Sequence, residues 1–163
     1  MKAYLCVLVL GSALTFANGQ NFLATLDAAN EVPTGGGRTG SGLVTLTLTG
    51  TTLTLSGTFS GLSSASTLDH IHGNALPGVN AGILYSLIPI STLGGTSGTI
   101  NGSVSISAAQ IADLNAGLWY INIHTANFGG GEIRGQILPV PEPSTWAIGS
   151  LGLLGVLAWK RRR

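Results

Sequence analysis

Residues 44–59 read VTLTLTGTTLTLSGTF, and this stretch decides the fold class. Val44, Leu46 and Leu48 alternate with threonines, and the alternation resumes after a turn at Gly50-Thr51. Successive side chains of a strand point to opposite faces, so this period of two indicates a hairpin with one apolar face and one hydroxyl face. The sequence therefore predicts an antiparallel β domain.

Six further segments outside this hairpin carry strand patterns bounded by turn residues. They are 22–28, 66–72, 82–88, 98–106, 118–125 and 132–138. One short helix fits before the seventh strand, because Ser107 and Gln110 form a Ser-x-x-Gln capping box and Gly117 can end it. Eight short strands with one short helix predict an all-β fold, an Ig-like or Greek-key β-sandwich.

The N-terminal segment has the composition of an export signal. A lysine, an apolar run and small residues at 17–19 predict a signal peptide over 1–19. The single cysteine, Cys6, lies within it. The predicted exported domain, 20–139, therefore has no thiol for a disulfide or a metal.

The C-terminal segment, 140–163, reads VPEPSTWAIGSLGLLGVLAWKRRR. Its parts are Pro141-Glu142-Pro143, an apolar run over 146–159 and a basic end, which the positive-inside rule would keep in the cytoplasm. This order resembles the PEP-CTERM sorting signal, which an exosortase in the inner membrane recognises and processes. The resemblance implies a transient anchor through a transmembrane helix at 146–159, then placement in the envelope or outside the cell. A plain tail anchor is the alternative, and it leaves the Pro-Glu-Pro unexplained.

Charge is sparse between the two signals, where two arginines stand against five carboxylates. This stretch has no basic patch, so no nucleic-acid partner is expected. It also has no Gly-x-Ser-x-Gly motif and no cysteine nucleophile, and we predict no catalytic residue. The rows of Ser and Thr hydroxyls could instead carry glycans or contact exopolysaccharide.

Three polar segments interrupt this bland composition: DHIHG at 69–73, YINIHT at 120–125 and GEIRGQ at 131–136. Their isoleucines fall on one set of strand faces, where a core would take them. The polar set on the opposite faces consists of His70, His72, Asn122, His124, Glu132, Arg134 and Gln136. The alternation therefore predicts that all three histidines point away from the core, on strands of one sheet.

These three blocks, with residues 26–33 upstream, resemble the CHRD domain, named from chordin, over about 22–138. The resemblance implies a β-sandwich of secreted or envelope proteins and no settled biochemical activity. The primary functional hypothesis is therefore a secreted, non-enzymatic CHRD-domain protein of the envelope or extracellular matrix, sorted by its C-terminal signal.

The alternative hypothesis is a metal-binding module or a metal-dependent enzyme. His70 and His72, two residues apart on one strand, could share a metal ion with His124 and Glu132, a set of three nitrogens and one oxygen that suits zinc or copper. The His-x-His pair also resembles the copper site of copper/zinc superoxide dismutases over a few residues, but that family's fourth histidine and zinc loop are missing. A polar network without metal would use the same residues. The sequence leaves metal site and network open.

Overall fold

The structure is a computed structural model that describes residues 19–141. The signal peptide predicted over 1–19 lies outside the described residues except for Gly19. Of the sorting signal only Val140 and Pro141 are described, and the transmembrane helix predicted at 146–159 also lies outside. Within 19–141, no helix is long and apolar enough to cross a membrane.

The described residues form eight β-strands and one short α-helix, which confirms the predicted all-β class. The strands are β1 (Gln20–Asp27), β2 (Ser41–Thr49), β3 (Thr52–Ser60), β4 (Ser66–His72), β5 (Ile83–Ser86), β6 (Gly98–Ser105), β7 (Tyr120–Thr125) and β8 (Ile133–Pro139). A 3-10 turn, Ala28–Asn30, follows β1, and the helix α1 spans Ala108–Asn115. The predicted capping box is present, since Ser107 accepts from the Gln110 backbone N–H and Gln110 accepts from that of Ser107.

The strands form one antiparallel sheet in the order β5-β4-β7-β8-β1-β2-β3-β6. Beyond β5, Ser91 pairs with Ile100 of β6, so the sheet nearly closes on itself like a barrel. The predicted sandwich of two packed sheets is therefore wrong. Alternation in the sequence shows which face of a strand is buried, but it does not show whether the buried faces belong to two sheets or to one curved sheet.

The apolar core lies inside this curved sheet, and the β2–β3 hairpin contributes as predicted. Leu46 pairs in register with Leu55, and each is 1% exposed. The neighbouring Thr47 and Thr54 are exposed on the outer face. The hairpin's facing is therefore confirmed.

Loops cover the outer face of β4, β7 and β8 and keep bulk solvent away from it. Asn30 donates to the carbonyl of Arg134 at 3.1 Å, and Gln136 donates to the carbonyl of Ala75 at 3.0 Å. Because these loops cover the sheet, the polar residues beneath them are buried. The sheet thus has a second interior, which is polar.

Candidate metal centre

The three histidines lie in this polar interior on two adjacent strands. In the β4–β7 ladder, His70 pairs with Asn122, His72 with Tyr120, and Leu68 with His124. The prediction that they share a sheet is confirmed. One ring nitrogen from each histidine lies within 4.8 Å of the other two, and the rings are only 7–8% exposed. Nδ1 of His70 is 3.1 Å from Nε2 of His124.

Backbone carbonyls fix two of the three rings. Nδ1 of His72 lies 3.0 Å from the carbonyl oxygen of Ala81, and Nδ1 of His124 lies 3.0 Å from that of Gly129. A carbonyl can only accept, so both Nδ1 atoms carry the proton and both Nε2 atoms of the neutral rings have a lone pair. Without metal, Nδ1 of His70 would then donate its proton to Nε2 of His124. With metal, Nε2 of His72, Nε2 of His124 and one ring nitrogen of His70 could bind a shared ion.

Burial also favours the neutral rings that a metal requires. It lowers the pKa of His70 and of His72, and it lowers the pKa of His124 to about 4. For His70 and His124, repulsion from a neighbouring histidine adds to the effect of burial. The three imidazoles are therefore uncharged at neutral pH, because each pKa lies below 6.5, the ordinary value for histidine.

Glu132 does not join the histidines, which corrects the predicted four-residue set. Its carboxylate accepts from the backbone N–H groups of Ser63 at 2.7 Å and Thr39 at 3.2 Å, and from the Thr125 hydroxyl at 2.7 Å. Burial alone would raise the pKa of this carboxyl, but the hydrogen bonds lower it overall. The ionised carboxylate of Glu132 thus links the loops that carry Thr39 and Ser63 to Thr125 at the end of β7.

A buried carboxylate does lie on the histidine side, and it belongs to Glu31. Glu31 is 1% exposed, and its charge raises the pKa of His72, although burial lowers that pKa overall. The periodicity offered no signal for it, because Glu31 ends a 3-10 turn rather than lying in a strand. From the sequence alone, a carboxylate just before Pro33 at a strand end indicates a turn residue rather than a ligand.

An aromatic stack supports His72 from the side. The Tyr120 ring lies parallel to the His72 ring, with 4.9 Å between the ring centroids. The guanidinium carbon of Arg134 lies 3.4 Å from the centroid of the Tyr120 ring. Arg134 also donates to the side chain of Asn80 at 3.0 Å. Arg134, predicted on the polar face, therefore holds the Tyr120 ring against His72 and does not occupy the histidine nitrogens.

Asp69 lies on the core face of β4, away from the histidines. Its carboxylate accepts from the hydroxyl of Ser91, the residue that also pairs with Ile100 where the sheet closes. Burial raises the pKa of Asp69 to about 6, although the bond to Ser91 lowers it. The carboxylates of Asp69 and Glu132 therefore contact different segments of the chain.

Replacing Asp69 with Asn should therefore change how stability depends on pH. The folded protein holds the Asp69 proton more tightly than the unfolded chain, so raising the pH from about 4 to about 6 should destabilise the wild type relative to the variant. Relative to the difference at low pH, the wild type should lose up to ~3 kcal/mol of unfolding free energy against the variant once the pH exceeds 6. Urea titrations of both proteins at pH 4 and pH 7 measure this difference, with Asp113→Asn as a control that removes a charge from α1. A constant difference across this range would contradict the assignment.

The fold and the site together define the class of protein: an all-β domain with a buried cluster of three histidines. The family model for the CHRD domain matches residues 22–137, and the chain belongs to this family. The model for the PEP-CTERM protein-sorting motif matches residues 139–163. Both resemblances are confirmed, and the sorting motif implies processing by an exosortase and hence export. Comparisons with curated proteins and with solved structures gave no match.

The sorting motif begins inside the folded domain. Pro139 is the last residue of β8 and pairs with Phe22 of β1, and the backbone N–H of Val140 donates to the carbonyl of Asn21 at 2.9 Å. The first two residues of the motif are therefore held against the sheet.

Proposed function

We propose that this chain is an exported CHRD-domain protein of the cell envelope or extracellular matrix that binds one zinc or copper ion through His70, His72 and His124. The observation that carries the proposal is the convergence of three neutral ring nitrogens in a buried polar layer. Binding, not catalysis, is the activity proposed. Neither the CHRD domain nor the sorting motif is known as an enzyme family.

A polar network without metal accounts for only part of this arrangement. It explains the two carbonyl contacts and the 3.1 Å contact between His70 and His124. It leaves Nε2 of His72 buried with no hydrogen-bond partner among the described residues. An unsatisfied buried polar atom costs about 1–3 kcal/mol, and a metal ion would supply the missing partner.

The donor set favours zinc or copper over harder ions. Imidazole nitrogens suit zinc and copper, whereas magnesium and calcium take oxygen ligands. Two of the rings donate their other N–H to a carbonyl, which is the outer support that metal-binding histidines usually have. These carbonyls belong to Ala81 and Gly129, so metal binding would also stabilise the two loops that cover the site.

Metal analysis of the purified chain tests the proposal. The full-length protein in detergent, stripped with a chelator and then dialysed against zinc or copper, should retain one ion per chain. At a free metal concentration 100 times the Kd, binding should stabilise the fold by about 2.7 kcal/mol. Calcium serves as the control ion and should leave the melting temperature unchanged. A chain that retains neither zinc nor copper would favour the polar network.

Export and release complete the proposal. The signal peptide over 1–19 would direct the chain across the inner membrane, and the helix at 146–159 would anchor it there until an exosortase acts on Pro141-Glu142-Pro143. The exposed threonines on the outer face of β2 and β3 support a glycan or exopolysaccharide as a further partner, because they present hydroxyl groups without charge.

Mass spectrometry of the released protein should show both processing events. The mature form should begin near Gln20 and lack 146–163. Replacing Pro141, Glu142 and Pro143 with alanines should leave the precursor in the inner membrane. Recovery outside the cell of a species that still carries Arg163 would contradict the sorting function.

A further inference from the structure

Two buried oxygen atoms beside the histidines lack a hydrogen-bond partner among the described residues. They are Oε2 of Glu31 and Oδ1 of Asn122. Glu31 is 1% exposed and Asn122 is 3% exposed, so bulk water does not solvate either side chain freely. Both atoms are acceptors, and each needs a donor.

These two acceptors lie close to each other and to the centre. A methyl group on Gly131 would overlap both Oε2 of Glu31 and the amide of Asn122, so the two groups flank the same point. Asn122 pairs with His70 across the β4–β7 ladder, and the charge of Glu31 acts on His72. Gly131 has no side chain, so the two groups can approach each other there.

We propose that Glu31 and Asn122 hold a water molecule bound to the fourth position of the metal, an inference that rests on the proposed metal centre. Three histidines leave one position of a tetrahedral ion unfilled. A metal-bound water has two protons to donate, and the two unpartnered acceptors can take one each. The centre is therefore open, and a small anion can exchange with its water.

Glu31 is an acceptor for this water and not a fourth ligand. Its carboxylate falls outside the group of donor atoms that lie within 4.8 Å of one another, which contains only the histidines among the described residues. Its other oxygen accepts from the backbone N–H of Val32 at 2.9 Å, which fixes the direction of Oε2. A negative charge at this place disfavours an anion at the open position.

Azide binding to the copper-loaded full-length chain tests the inference. Azide should displace the water and give a charge-transfer absorption band. Glu31→Gln keeps the shape of the side chain and an oxygen for the Val32 N–H but removes the charge. This variant should bind azide about tenfold more tightly. Asp113→Asn removes the same charge from α1 and should bind azide as the wild type does.

Water-proton relaxation gives a second readout. Copper is paramagnetic, so a bound, exchanging water should speed the relaxation of bulk water protons, and saturating azide should remove this effect. Copper-loaded protein that shows neither azide binding nor relaxation enhancement would overturn the open position. Equal azide affinity in the wild type and Glu31→Gln would overturn the role of Glu31. A chain that takes up no copper would overturn the metal centre itself, which is a separate and recognisable result.

Discussion

Changing His70 and His72 together to alanine should abolish zinc and copper binding. The double variant removes two of three donors, and His124 alone cannot hold an ion against water and competing ligands. Metal content should fall from one ion per chain to the background of the chelator-treated protein. Elemental analysis after dialysis against zinc or copper measures this loss.

The fold should survive this change, because the two rings lie in the polar layer and not in the apolar core. Near-ultraviolet circular dichroism of the metal-free proteins checks this. Gln136→Ala is the matched control, because it removes a polar side chain from the neighbouring strand β8. The side-chain amide of Gln136 donates to the carbonyls of Ala75 and Gly117 and not to a histidine. This control should retain the ion. An ion retained by the double variant would be bound elsewhere.

Replacing Leu46 with Asp should unfold the domain. Leu46 is 1% exposed and lies on the core face of β2. Truncating a buried leucine to alanine costs 2–5 kcal/mol, and a buried charge without a partner costs several more. The total is comparable to the 5–15 kcal/mol that stabilises a whole domain.

Thr47→Asp is the matched control one residue away. Thr47 is exposed on the outer face of β2, so the same side chain should stay in water and cost within about 0.5 kcal/mol. Urea titration of both variants gives the comparison. Equal effects of the two changes would contradict the facing of the hairpin.

Local rules predicted the parts of this fold that depend on neighbouring residues. The alternation in 44–59 gave the hairpin and its facing, and the Ser107–Gln110 pair gave the start of α1. The convergence of the histidines also followed from local pattern, because His70, His72 and His124 share one face of strands that proved to be adjacent.

Long-range geometry decided what the sequence could not. Closure of the sheet depends on contacts such as that between Ser91 and Ile100, which no local period encodes. Glu132 fits the strand alternation in the sequence, but it lies one residue before β8. There its carboxylate accepts from the backbone N–H groups of Thr39 and Ser63. Glu31 lies on the histidine side because the segment after β1 folds over the sheet, and a strand period carries no information about loops.

The pairing of Pro139 with Phe22 places both ends of the domain at one pole of the barrel. Gln136 lies level with Tyr120 and His72 across the sheet, three residues from Pro139, or roughly 10 Å at the rise of a strand. In a precursor anchored as proposed, this pole of the domain would be the one nearer the bilayer. Because the backbone N–H of Val140 still donates to Asn21, the folded domain ends only a few residues before the segment that the proposed exosortase would act on.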